Sequence, residues 1–66
     1  MLFERVRELR EDNDLKQEYI AEKLGITQTT YSKYELGKVN IPVEMLIKLA
    51  DFYGVSLDYL IGRAER

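Results

Sequence analysis

The chain has 66 residues, enough for one small domain that buries only about 60% of its unfolded surface and is marginal on its own. It contains neither cysteine nor histidine, which removes disulfides, thiolate sites and the common zinc ligand sets, so neither metal nor cofactor is expected. The net charge of −2 and pI near 5.0 argue against binding polyanions by bulk attraction alone.

Hydrophobic content of 45% and charged content of 33% fit a folded soluble domain. Apolar runs are only a few residues long, too short to span a membrane. Met1-Leu2-Phe3-Glu4-Arg5 lacks a signal-peptide layout, so a cytoplasmic location is expected. The charge is unevenly spread. Residues 1–14 carry three basic and five acidic side chains, residues 15–41 four and three, and residues 42–66 three and four. The middle third is thus the only part that is not net negative. Charges within a Debye length of about 8 Å act most strongly, so local attraction there survives the acidic total.

Helical periodicity dominates, with no repeat, linker or low-complexity stretch. The first predicted helix runs from about Leu2 to Asn13, with Phe3, Val6 and Leu9 facing inward. Asp12-Asn13-Asp14 is turn chemistry. A second helix covers Gln17 to Leu24 and stops at Gly25, the favoured residue for a left-handed helix terminus. Ala21 is a small residue placed where a neighbouring helix would cross. Thr27 is an N-cap for a third helix, ending near Gly37 and followed by the loop Lys38-Val39-Asn40-Ile41. A fourth helix starts around Pro42, whose missing N–H costs nothing there. It carries Leu46, Leu49, Ala50 and Tyr53 at core spacing and stops at Gly54. Ser56 caps a short fifth helix with Leu57, Leu60 and Ile61 inward, and residues 62–66 read as a frayed tail. The predicted fold class is all-α, one compact five-helix domain over residues 1–66.

At about 100° per residue, Gln28, Thr29, Ser32, Lys33 and Leu36 share one arc of roughly 140°. Thr30, Tyr31 and Tyr34 fall on the opposite side. The first arc contains no acid and several hydrogen-bond donors. Gln28 can pair twice with an adenine edge, Lys33 can donate to guanine O6 and N7, and Thr29 can meet a thymine methyl. Gln17 opens the second helix, where free N–H groups and the dipole attract phosphate; Lys38 and Asn40 flank the third. Two amphipathic helices around a glycine turn also occur in ordinary small bundles. Periodicity alone therefore leaves the polar arc open between a DNA-reading face and a solvated one, and Arg10 open as a plain surface charge.

The motifs Leu9-Arg10, Leu15-x-Gln17, Ile20-Ala21-x-x-Leu24-Gly25-Ile26, Thr27-Gln28-Thr29-Thr30-x-Ser32-x-Tyr34-Glu35-x-Gly37-Lys38, Pro42, Leu46-x-x-Leu49-Ala50 and Gly54-Val55-Ser56-Leu57-Asp58-Tyr59-Leu60 occur in order. With them the chain, from Val6 to Gly62, resembles the lambdoid phage repressor and Cro-like (xenobiotic-response-element type) helix-turn-helix regulators. Each motif is weak alone; together they are specific. The resemblance implies a repressor-like DNA-binding domain whose helix at 28–36 enters the major groove. It implies base-reading positions at Gln28, Thr29 and Lys33, with Thr30 and Ser32 as lesser candidates. Gln17 matches a phosphate-binding glutamine, and Lys38 and Asn40 a backbone-contacting loop. Arg10 and Glu35 match an ion pair joining the first helix to the end of the third.

Three departures stand out. Tyr31 occupies a place usually held by a smaller aliphatic residue, so a looser core or a partly exposed ring is expected there. Lys16 replaces the usual Ser or Thr cap of the second helix, which weakens the cap and adds a possible phosphate contact. Val39 and Ile41 replace polar or basic loop residues, which implies fewer released counterions and a shallower salt dependence.

Tyr19, Tyr34, Tyr53 and Tyr59 lie at or beside helix core positions, which favours packing over base stacking. Catalysis has no histidine, cysteine or activated serine to use, and the glycines form no phosphate-cradling loop. The expected partner is a duplex operator, pseudo-palindromic and bound by a homodimer with half-sites about 34 Å apart. Leu57, Leu60 and Ile61 are the expected dimer surface. The competing reading is a protein-interaction module, such as an antitoxin or anti-regulator, whose same helices bind a protein.

Overall fold

The computed structural model describes residues 3–63 and arranges them as five helices: α1 (Glu4–Asp12), α2 (Gln17–Leu24), α3 (Gln28–Leu36), α4 (Val43–Tyr53) and α5 (Leu57–Leu60). No strand occurs among the described residues. The expected helical start at Leu2 and the tail at 64–66 lie outside them. The body measures 29 × 23 × 18 Å, a size at which every helix contributes to a single core.

Sequence chemistry sets the helix ends. Gly25 closes α2 in the left-handed region at φ 73°, and the Ile26 amide reaches back to Ala21 O at 3.0 Å, the six-to-one bond of a Schellman terminus. A Cβ at Gly25 would meet nothing within 4 Å. Glycine is needed there for backbone handedness, not for space. The Thr27 hydroxyl accepts from the Thr30 amide at 3.1 Å and starts α3; Ser56 does the same for α5 through Tyr59 at 3.0 Å. Lys16 begins α2 with no side-chain cap. Asp14, at φ 56°, completes the Asp12-Asn13-Asp14 turn in a region that Asp and Asn tolerate better than most residues.

The core gathers Val6 and Leu9 of α1, Ile20, Ala21 and Leu24 of α2, Tyr31 and Tyr34 of α3, Leu46, Leu49 and Ala50 of α4, and Leu60 of α5. Each large member contributes about 1.5–3 kcal/mol by leaving water. Ala21 is buried in the helix that packs most extensively on α3, where its small side chain admits the neighbouring backbone. At only four residues α5 cannot hold itself; Arg5 of α1 anchors it, donating to Tyr59 O at 2.7 Å and lying 4.2 Å from the Tyr59 ring.

Four expectations change. The Tyr31 ring is not partly exposed; it is the largest fully buried side chain, at 0% exposure, in the helix on which α2 and α1 pack. Tyr19, expected near the core, is 41% exposed and rests against Phe52, ring centroids 6.2 Å apart. Ile41 is buried, so its departure from a polar loop residue supplies core rather than merely removing charge. Leu60 has no exposed surface at all. It fills the space between α5 and the rest of the core, and so cannot form a dimer contact; Leu57 and Ile61 pack against the core and keep only part of their surface.

Candidate nucleic-acid interface

The buried side of α3 fixes what its other side presents. With Tyr31, Tyr34 and Glu35 turned inward, Gln28, Thr29, Lys33 and Leu36 are exposed and Ser32 half-buried. These five line one shallow depression of about 380 Å³ with Gln17 from the start of α2 and Lys38 from the loop after α3. The remaining candidates lie elsewhere. The Thr30 hydroxyl is drawn into the N-cap, accepting from Thr27 Oγ1 at 3.0 Å. Lys16 and Asn40 are exposed but do not line the depression.

A second depression of about 220 Å³ adjoins the first and shares Gln17, Ser32 and Leu36 with it; Arg7, Arg10 and Glu35 complete its wall. The two together are surrounded by four cations, Arg7, Arg10, Lys33 and Lys38, and one carboxylate, Glu35. A chain of net charge −2 thus presents a locally positive face, with Glu11 paired to Arg7 at its edge. Sequence reading missed the place of Arg7 in this face. The available signal was its spacing, three residues before Arg10 and so on the same side of α1.

The carboxylate beneath this face is held from several directions. Arg10 Nε donates to Glu35 Oε2 at 2.6 Å and Nη2 to Oε1 at 3.0 Å, while Nη1 donates to Leu15 O at 2.8 Å. Gln17 Nε2 also donates to Glu35 Oε1, at 3.0 Å. α1, the entry to α2 and the last turn of α3 are therefore joined through one buried carboxylate. The Gln17–Glu35 bond was not read from the sequence: the two residues are 18 apart, and no local pattern couples them. A consequence for Gln17 as a phosphate ligand is that one amide N–H is committed inward and the other is left to point outward.

Burial opposes ionisation of Glu35, but the hydrogen bonds from Arg10 and Gln17 and the proximity of the Tyr31 hydroxyl outweigh it, so its pKa lies below the ordinary value. The Tyr31 hydroxyl sits beside this carboxylate without satisfying hydrogen-bond geometry. Burial, and then the Glu35 charge, push its pKa well up. Tyr53, also buried at its hydroxyl, is pushed up to about 12, chiefly by burial.

These shifts fix the stability profile. A depressed carboxylate stabilises the fold above its unfolded value of about 4.3, and that contribution is lost as pH falls through the lower folded value. Raised tyrosines act at the other end: stability falls as pH rises from about 10, where the unfolded phenols ionise, toward their folded values. We predict that Tyr31→Phe and Tyr53→Phe leave the phenolate absorbance gained near pH 10 by the folded protein unchanged. A loss of that signal in either variant would place its ring in water.

The sequence profile of the helix-turn-helix family matches residues 6–60, spanning α2 and α3. The chain is 40% identical over 65 residues to the uncharacterized HTH-type transcriptional regulator YobD of Bacillus subtilis, covering 98% of this chain and 58% of that one. It is 38% identical to the cryptic phage CTXphi transcriptional repressor RstR of Vibrio cholerae, covering 98% of this chain and 59% of that one. It thus spans less than two thirds of the length of either relative. Its fold superposes on the P22 c2 repressor, solved in complex with a synthetic operator, with a TM-score of 0.83 at 25% identity, covering 97% of this chain and 98% of that one. With this profile match, these relatives and this similarity of fold, the chain belongs to the helix-turn-helix family of phage-repressor and Cro-like regulators.

Proposed function

We propose that this domain binds duplex DNA sequence-specifically as part of a transcriptional regulator, acting as a repressor. The observation that carries the reading is the outer face of α3: Gln28, Thr29 and Lys33 are exposed together, with no carboxylate among the residues lining their depression. In the major groove Gln28 reads adenine, Lys33 guanine and Thr29 a thymine methyl, and Ser32 is a lesser contact. Gln17, Lys16, Lys38 and Asn40 meet phosphates and set register rather than sequence. Relatives named as transcriptional regulators and repressors, and a similar fold solved on a synthetic operator, support this assignment. No helix among the described residues is long and apolar enough to cross a membrane. We assign the domain no enzymatic role.

One copy touches too few bases for selectivity, so we propose a homodimer on a pseudo-palindromic operator. The longest dimension of one domain, 29 Å, lets two copies sit side by side at a half-site spacing of about 34 Å. Leu57 and Ile61 keep part of their surface for such a contact. The reading predicts that mixed-sequence duplex binds more weakly as salt rises. Lys38→Ala should weaken every duplex alike and lower the salt exponent by about one. Sedimentation with a selected duplex should show two chains per DNA. Binding that ignores salt would contradict the proposal.

A second reading rests on the groove between α2 and α4, where Phe52 is 40% exposed and Lys23 and Lys48 stand at the edge. There the domain would dock a protein, such as a toxin or an anti-regulator. A partner that still binds after Gln28→Ala plus Lys33→Ala, and is lost with Phe52→Ala, would favour it.

A further inference from the structure

We infer that Arg7 is a DNA-backbone contact that extends the recognition face onto α1; the inference rests on the duplex-binding reading above. Arg7 lines the depression that continues the α3 face through Gln17, Ser32 and Leu36. A strand running along the edge of the face past Gln17 would come within reach of the Arg7 guanidinium. Arg7 is also available. Its side chain is 61% exposed, and its ion pair is a single Nε–Glu11 Oε2 contact at 3.2 Å, with Glu11 itself 51% exposed. An i,i+4 pair as exposed as this is weak, so a phosphate can take the guanidinium at little cost. Arginine suits that exchange, because its planar fork matches two phosphate oxygens at once. Arg10, by contrast, already directs three donors at Glu35 and Leu15.

Arg7 also marks where the face ends. On its other side it borders a depression lined by Glu4, Glu8 and Glu11, carboxylates that repel phosphate. Arg7 is therefore the last cation before an acidic wall, and Glu11 competes with DNA for it. The two residues should act in opposite directions: Arg7→Ala weakens binding, and Glu11→Gln tightens it by releasing the guanidinium.

The test measures binding of a mixed-sequence duplex, and of the tightest duplex recovered from a random library, at several salt concentrations. The proteins are the parent, Arg7→Ala, Glu11→Gln, the double variant and Lys48→Ala, a control for bulk charge on the far groove. Arg7→Ala should lower the salt exponent by about 0.9. Over a fourfold rise in salt it would then lose about 3.5-fold less affinity than the parent. Glu11→Gln should tighten binding several-fold in the parent, and much less when Arg7 is absent. The inference is overturned if the parent binds with normal salt dependence while Arg7→Ala keeps its exponent. It is also overturned if Lys48→Ala matches Arg7→Ala, or if Glu11→Gln acts equally in both backgrounds. A parent that binds no duplex at all overturns the duplex-binding reading as well, which separates the two failures.

Discussion

Glu35→Ala should lower the melting temperature by roughly 12–24 °C. The carboxylate is 7% exposed and accepts from Arg10 twice and from Gln17 once. Removing it strands a largely buried guanidinium, and breaking such a pair by deleting one partner costs about 3 kcal/mol or more. In a domain this small each kcal/mol moves the midpoint by about 4–8 °C, and total stability can be as low as about 5 kcal/mol. The variant should therefore be partly unfolded at moderate temperature. The paired change Arg10→Met with Glu35→Leu should recover much of the loss, because replacing both charges with packed apolar groups is often neutral or stabilising. Glu11→Ala, which breaks only the exposed Arg7 pair, should cost about 0.5 kcal/mol or less. A calorimetric midpoint for Glu35→Ala within a few degrees of the parent would mean that the pair is not holding α1 to α3.

Gln28→Ala and Lys33→Ala should each weaken binding to a matched duplex by about 1–3 kcal/mol, roughly 5- to 150-fold, with relaxed choice at one base position each. Both side chains are exposed, so their removal should change folding stability by less than about 0.5 kcal/mol, and loss of binding cannot be blamed on loss of fold. Gln28→Ala removes no charge and should leave mixed-sequence binding almost unchanged. Lys33→Ala removes a cation as well as a base contact, so it should also lower the salt exponent. That difference distinguishes a base reader from a residue that only attracts phosphate.

Much of the architecture could be read in the sequence because its punctuation is local. Gly25, Gly37 and Gly54 each end a helix at positive φ, and Thr27 and Ser56 each cap the next one. The exposed arc of α3 was equally legible, since a rigid helix converts spacing directly into direction. What escaped prediction depended on distant elements. Tyr31 lies on the inner arc by spacing, but its complete burial depends on the packing of α2 and α1 on α3. Leu60 belongs to the inward side of a terminal helix that is also the expected dimer surface, yet a four-residue helix survives only by burying its apolar side, and Leu60 is taken up entirely by the core. Gln17 was read as a phosphate ligand from its place at a helix start. Its bond to Glu35 and the position of Arg7 beside α3 arise from tertiary packing that no window of sequence contains.

Whether the outer face of α3 reads duplex sequence is decided by selecting binders from a random duplex library with the parent protein and with Gln28→Ala. The parent should yield a two-fold-symmetric consensus with half-sites one helical turn apart, and the variant should lose preference at one position per half-site. Recovery of no consensus, or of the same consensus with Gln28→Ala, would contradict sequence reading by this face.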